Sequence, residues 1–174
     1  IEIPDEEEDI YEAVWENETG VYLIVHSERN SDESNEFEAD IIENLIESAD
    51  QLPEDSTSVM TPHRAQRTYL GRRLEEYSEG PVDIIDTVES LQGGESENII
   101  ISATASDPSS IGSKEEFLLD LNRANVAFSR TKKRLIVVCS EHFLNHIPPE
   151  MEDYKAAMLW KSLRNLCTKE IIST

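Results

Sequence analysis

Two kinds of apolar pattern alternate along the chain. Continuous runs of strand length stand at VYLIVHS (21–27), STSVMTP (56–62), VDIIDTV (82–88), ENIIISAT (97–104) and RLIVVCS (134–140). Between them apolar residues recur at three- and four-residue spacing, which marks a helix with one face inward. NEFEADIIENLIESA (35–49) puts Phe37, Ile41, Ile42, Leu45 and Ile46 on one face, and Leu52, Pro53 and Glu54 end it. A helix over 63–77 turns Leu70, Leu74 and Tyr77 inward and stops at Gly80 and Pro81. Further helices are predicted over 115–130 and 151–167, a short one over 9–15, and a turn-rich loop over 106–114. Strands that alternate with helices and are apolar on both faces predict an α/β fold with a three-layer parallel sheet. We expect one domain over 21–170, preceded by an acidic lead-in over 1–20. Ligands of such sheets collect beyond the carboxyl ends of the strands. The polar stretches TPHRAQR, DTVESLQGGE and SDPSS, with NRANVAFSR ahead of the last strand, are therefore the candidates.

Composition narrows the class. At 174 residues and 38% apolar content the chain can bury one full core. No run approaches the roughly 18 apolar residues of a membrane span, and the acidic start is unlike a signal peptide. We expect a cytoplasmic protein, and the absence of an initial Met reads as a piece of a longer chain. Cys139 and Cys167 show neither metal nor disulfide spacing and read as ordinary thiols. His142 and His146 have the i, i+4 spacing of a helical metal pair without a third ligand nearby, so no metal site is expected.

Charge is the anomaly. The formal net charge is −22, which by itself argues against a nucleic-acid partner. With only six lysines, the balance reads as a halophilic surface, with a solvated acidic face or an acidic linker as the alternative. In molar salt the Debye length falls to about 3 Å and only local contacts count. Locally the chain is basic in two places. Residues 1–60 hold 20 acids and one cation, Arg29, yet nine of the 15 cations fall in two windows. One holds Arg64, Arg67, Arg72 and Arg73; the other holds Arg123, Arg130, Lys132, Lys133 and Arg134.

Those windows carry a family pattern. VMTPHRAQRTYL, DTVESLQGGESENIIIS and LNRANVAFSRTKKRLIVV resemble, in order and spacing, motifs IV, V and VI of superfamily 1 helicases. The similar branch contains the nonsense-mediated-decay RNA helicase and the Dna2-type replication helicase-nucleases. The resemblance covers about 21–140 and implies the second RecA-like domain of a motor, a P-loop-NTPase-like fold without its own phosphate loop. No G-x-x-x-x-G-K-[ST] occurs in the chain, and no Asp-Glu pair closes an apolar strand. ATP and Mg²⁺ would then be held mainly by an N-terminal RecA-like domain of the same polypeptide, and this piece alone should not hydrolyse ATP.

The resemblance also implies roles. Arg130 matches the arginine finger of motif VI and Arg67 a second γ-phosphate arginine of motif IV; both suit the bidentate phosphate chemistry of guanidinium. Gln66 matches a motif IV glutamine near the nucleotide, or is simply an exposed helical amide. In LQGGE, Gly93 permits a tight turn. Glu95 resembles the acceptor of the nucleotide's ribose, and Gln92 bridges nucleotide and nucleic-acid sites. Arg123 either touches the nucleotide or braces the cleft. Thr87 either contacts nucleic-acid phosphates or caps its own strand. Lys132, Lys133 and Arg134 read as a solvated turn, with contact to nucleic-acid backbone phosphates as the alternative. His63, Gly94 and Thr131 depart from residues common in relatives. The expected partner is single-stranded nucleic acid, DNA favoured over RNA. The rival reading is a non-catalytic RecA-like interaction or regulatory module.

Overall fold

A computed structural model describes residues 11–87, 94–107, 109, 129–145 and 169–173. Six strands form a single parallel sheet: β1 (Gly20–His26), β2 (Thr57–Thr61), β3 (Val82–Thr87), β4 (Ser96–Ser102), β5 (Thr131–Ser140) and β6 (Lys169–Ser173). Their order across the sheet is β3-β2-β4-β5-β1-β6. The helices are α1 (Glu12–Trp15), α2 (Glu36–Glu47), α3 (Arg64–Arg73) and α4 (Glu141–Asn145), with a 3₁₀ turn at Glu75–Tyr77. This is the parallel α/β sheet that the alternating pattern predicts, and the RecA-like architecture that the resemblance implies.

The core forms where the apolar runs meet the apolar helix face. Tyr22 and Ile24 of β1, Val59 of β2, Ile100 of β4, and Ile136 and Val138 of β5 pack under Ile41, Ile42, Leu45 and Ile46 of α2. The central strands β2, β4 and β5 are buried along most of their length. That is why they lack polar alternation. By contrast β3 borders the sheet among the described residues, and its Asp83 and Ile84 are exposed.

Four features differ from the sequence expectation. The short helix α1, within the expected lead-in, packs on the domain: Val14 is fully buried, and the Trp15 indole donates to the Leu45 carbonyl at 2.9 Å. The helix predicted over 63–77 stops at Arg73 and tightens into the 3₁₀ turn. Strand β5 starts at Thr131, so Lys132, Lys133 and Arg134 belong to the sheet and not to a solvated turn. Neither β6 nor α4 has a periodicity that announces it; β6 is placed by parallel pairing with β1. The helices predicted over 115–130 and 151–167 lie outside the described residues, apart from Ser129 and Arg130.

Candidate functional site: two opposite edges of one sheet

In a parallel sheet all strands begin at one edge and end at the other, so chemistry-bearing loops divide between an amino and a carboxyl edge. At the amino edge, the residues opening β4 and β5 face each other, with a register shift between Ser96 and Asn98. Ser96 is paired with Thr131 and Asn98 with Arg134. The Ser96 amide donates to the Arg130 carbonyl at 3.2 Å, and the Arg130 guanidinium reaches the Gly94 carbonyl at 3.3 Å. Lys132 pairs with Glu95 at 2.9 Å and Lys133 with Glu97 at 3.3 Å. Arg134 donates to Asn98 Oδ1 at 3.2 Å and to the Asn17 carbonyl at 2.9 Å, with its guanidinium 5.3 Å from the centre of the Trp15 ring. The four cations of 130–134 are therefore each met by a partner in 94–98. A cleft of about 510 Å³ opens on this edge between Trp15, Leu52, Asn98 and Arg134. Its two cations are already bonded within the ladder, so it offers no free positive charge to an anion.

At the carboxyl edge a buried polar cluster joins the loops that follow β1, β2 and β4. Asn35, which caps α2, accepts from the Glu38 amide through Oδ1 at 2.9 Å. Its side-chain amide donates to the Thr104 carbonyl at 2.9 Å. Gln66 grips the backbone of the same residue, accepting from Asn35 N–H at 2.7 Å and donating to its carbonyl at 3.0 Å. Glu38 is fully buried. Its carboxylate accepts from His26 Nε2 at 3.0 Å, from Thr104 N–H at 2.9 Å and from the Ser102 hydroxyl. His26 Nδ1 accepts from the Glu28 amide at 3.3 Å, which assigns the imidazole proton to Nε2. Thr104 adopts φ 75°, a conformation β-branched residues rarely enter. It is held there by these bonds and by a 2.9 Å contact between its hydroxyl and that of Thr61. Beside the cluster, burial works to raise the Glu28 carboxyl. Hydrogen bonds from Ser106, the Asn30 amide and Ser31, with the nearby His26, outweigh it and hold that group below the ordinary carboxylate range.

The expected site residues divide between these edges. Arg130 and Glu95 come together at the amino edge. Thr87 ends β3 at the carboxyl edge, its amide donating to Asp86 Oδ1 at 2.7 Å. Gln92, Gly93 and Arg123 lie outside the described residues. Gln66 is fully buried rather than an exposed helical amide, and it spends both ends of its amide on Asn35 and Ser102. Arg67 pairs with Asp86 at 3.0 Å, half exposed. Asp86 stands level with Met60, Ile101 and Val137 through the register. From Arg130 to Val137 the strand covers about 23 Å, and three strand spacings of about 4.8 Å separate β3 from β5. The Arg130 and Asp86 positions are thus about 27 Å apart, which places Arg130 and the Arg67–Asp86 pair at opposite edges of the sheet.

His26, Asn35, Glu38, Ser102 and Thr104 escaped the reading of the sequence. One signal was there: Glu38 sits three and four residues before Ile41 and Ile42, an acid on the apolar stripe of α2.

A family described as "AAA domain" matches residues 11–142. The chain belongs to this family. It is a helicase-type domain of superfamily 1, from the branch that includes the Dna2-type helicase-nucleases. It is 42% identical over 89 residues to the uncharacterized ATP-dependent helicase MJ0104 of Methanocaldococcus jannaschii, covering 51% of this chain and 12% of that protein. It is 31% identical over 117 residues to the DNA replication ATP-dependent helicase/nuclease JHS1 of Arabidopsis thaliana, covering 66% and 8%. Over 107 residues it is 33% identical to the DNA polymerase alpha-associated DNA helicase A of Saccharomyces cerevisiae, covering 60% and 15%. The chain therefore matches between 8% and 15% of the length of these relatives.

Fit to the nucleotide can be judged from the helicase-type domain itself. At the amino edge a half-buried guanidinium and an exposed carboxylate stand side by side, suited to a phosphate oxygen and a ribose hydroxyl. Among the described residues no cluster of metal ligands stands there. Among the described residues the one carboxylate triad, Glu43, Glu47 and Glu76, lies on the outer face of α2, where Tyr77 already donates to Glu47 at 2.7 Å. No helix among them is long and apolar enough to cross a membrane.

Proposed function

We propose that this chain is the C-terminal motor domain of an ATP-dependent helicase or translocase that acts on single-stranded nucleic acid, DNA in preference to RNA. ATP and Mg²⁺ are held mainly by a separate RecA-like domain of the same polypeptide. This domain supplies Arg130 to the γ-phosphate and Glu95 to the ribose, while Thr87 touches the strand at the opposite edge. The observation that carries the reading is this separation of motif ends. The stretch from Thr87 to Glu95 leaves the carboxyl edge at one end and reaches the amino edge beside Arg130 at the other. One connection thereby ties a strand-contacting edge to a nucleotide-contacting edge, which is what coupling of hydrolysis to movement requires. The DNA-helicase relatives support the preference for DNA. Arg67, paired with Asp86, is assigned to the carboxyl edge and not to the finger's phosphate.

The test is ATP turnover by the longer protein that contains this chain, with and without single-stranded DNA or RNA. Turnover stimulated at least tenfold by single strands, more by DNA, is expected; residues 1–174 alone should give none. Turnover indifferent to nucleic acid would reject the motor reading.

The acidic surface leads to a second expectation. Glu47, Asp50, Glu54, Asp55, Glu75 and Glu76 are exposed, and Arg73 neutralises only Asp40 and Glu43. Self-repulsion among such charges is screened by salt. We expect Tm to rise by roughly 10 °C between 0.1 and 2 M KCl, a few kcal/mol for a chain of this size. An equal Tm at both salt concentrations would rule out a halophilic surface.

A further inference from the structure

We infer that Lys132 is a positioning residue for the nucleotide: it holds the Glu95 carboxylate in place to meet the ribose. The inference rests on the motor reading and deepens it. Glu95 stands just ahead of β4 and follows Gly94, a residue without a side chain to brace it. Its carboxylate is 65% exposed, so packing does not fix its rotamer. What holds it is the Lys132 ammonium, 2.9 Å away on β5. Lys132 is itself set by the sheet, because the Ser96–Thr131 pairing and the Ser96 amide bond to Arg130 tie the two strand starts together, with a register shift between Ser96 and Asn98. Arg130 directly precedes β5 and Lys132 is its second residue, so both stand at the amino end of that strand, Arg130 against the Gly94 carbonyl and Lys132 against Glu95. One short segment therefore presents the finger and steadies the ribose acceptor, and the rung between them sets their spacing.

An exposed ion pair contributes little to folding, so removing Lys132 should leave the domain intact. Its effect is expected on the ligand. An unbraced glutamate samples several rotamers and must be ordered by the nucleotide itself, which weakens binding. Ribose is held alike in the ground and transition states, so the loss should appear mainly in KM rather than kcat.

The experiment uses the full-length protein, with Lys132→Met, Lys132→Arg, Glu95→Gln and the double variant K132M/E95Q. ATP and 2′,3′-dideoxy-ATP serve as the paired probes. K132M should raise KM for ATP about fivefold, with a smaller change in kcat. It should also narrow the wild-type preference for ATP over the dideoxy nucleotide. K132R should restore both, and K132M should add nothing in the E95Q background. Unchanged KM and unchanged ribose preference in K132M, with the wild-type enzyme discriminating normally, would overturn the inference and leave the motor reading standing. A wild-type protein that turns over no ATP would overturn the motor reading, and the inference with it.

Discussion

Replacing Arg130 with alanine in the full-length motor is expected to lower kcat for ATP by about a thousandfold or more while changing KM far less. An arginine finger acts on charge that develops at the γ-phosphate during transfer, and its removal costs about 10³–10⁵ in rate. The fold should not suffer. Arg130 is half-buried, its guanidinium touches the Gly94 carbonyl at a long 3.3 Å, and its backbone bond to Ser96 does not involve the side chain. Lysine at the same position keeps the charge but loses the planar fork, so R130K should recover little. Steady-state turnover, with circular dichroism to show an unchanged fold, checks the expectation. Turnover of R130A within a few-fold of wild type would remove Arg130 from the chemistry.

The largest effect on stability is expected at Glu38. Its carboxylate is fully buried and accepts from His26, Ser102 and Thr104 together. Alanine there leaves the buried His26 Nε2–H and Thr104 N–H without their acceptor, removes one acceptor of the Ser102 hydroxyl, and releases Thr104 from the bond that holds its left-handed backbone. Breaking a buried pair in this way costs about 3–5 kcal/mol. For a chain of this size that lowers Tm by about 10 °C. Glutamine fills the same space but offers one acceptor oxygen where two were used, so E38Q should fall between wild type and E38A. Urea unfolding with an unchanged slope checks both variants. A loss of under 1 kcal/mol in E38A would mean that water or a neighbouring group satisfies those donors.

Glu38 and Arg130 illustrate why the two halves of the site differed in legibility. Arg130 stands in a motif whose order and spacing survive in the linear chain, so a one-dimensional pattern pointed to it. Glu38 matters through His26, Ser102 and Thr104, which are 12, 64 and 66 residues away in sequence. Gln66 shows the same limit from the other side. Its motif suggested a nucleotide contact, and the fold spends its amide on the backbone of Asn35, 31 residues away.

By itself the sequence determined the strands that became β1 to β5, the inward face of α2 and the family. These depend on local hydrophobic period and on motif spacing, which every residue reports to its chain neighbours. Tertiary structure alone decided the rest. It drew Lys132, Lys133 and Arg134 into β5, because Glu95, Glu97 and Asn98 lie across the strand from them. It placed β6 beside β1 by backbone pairing, which carries little side-chain signal. And it set Arg67 and Arg130 at opposite edges, because strand direction and register, not sequence distance, determine which cations can meet one phosphate.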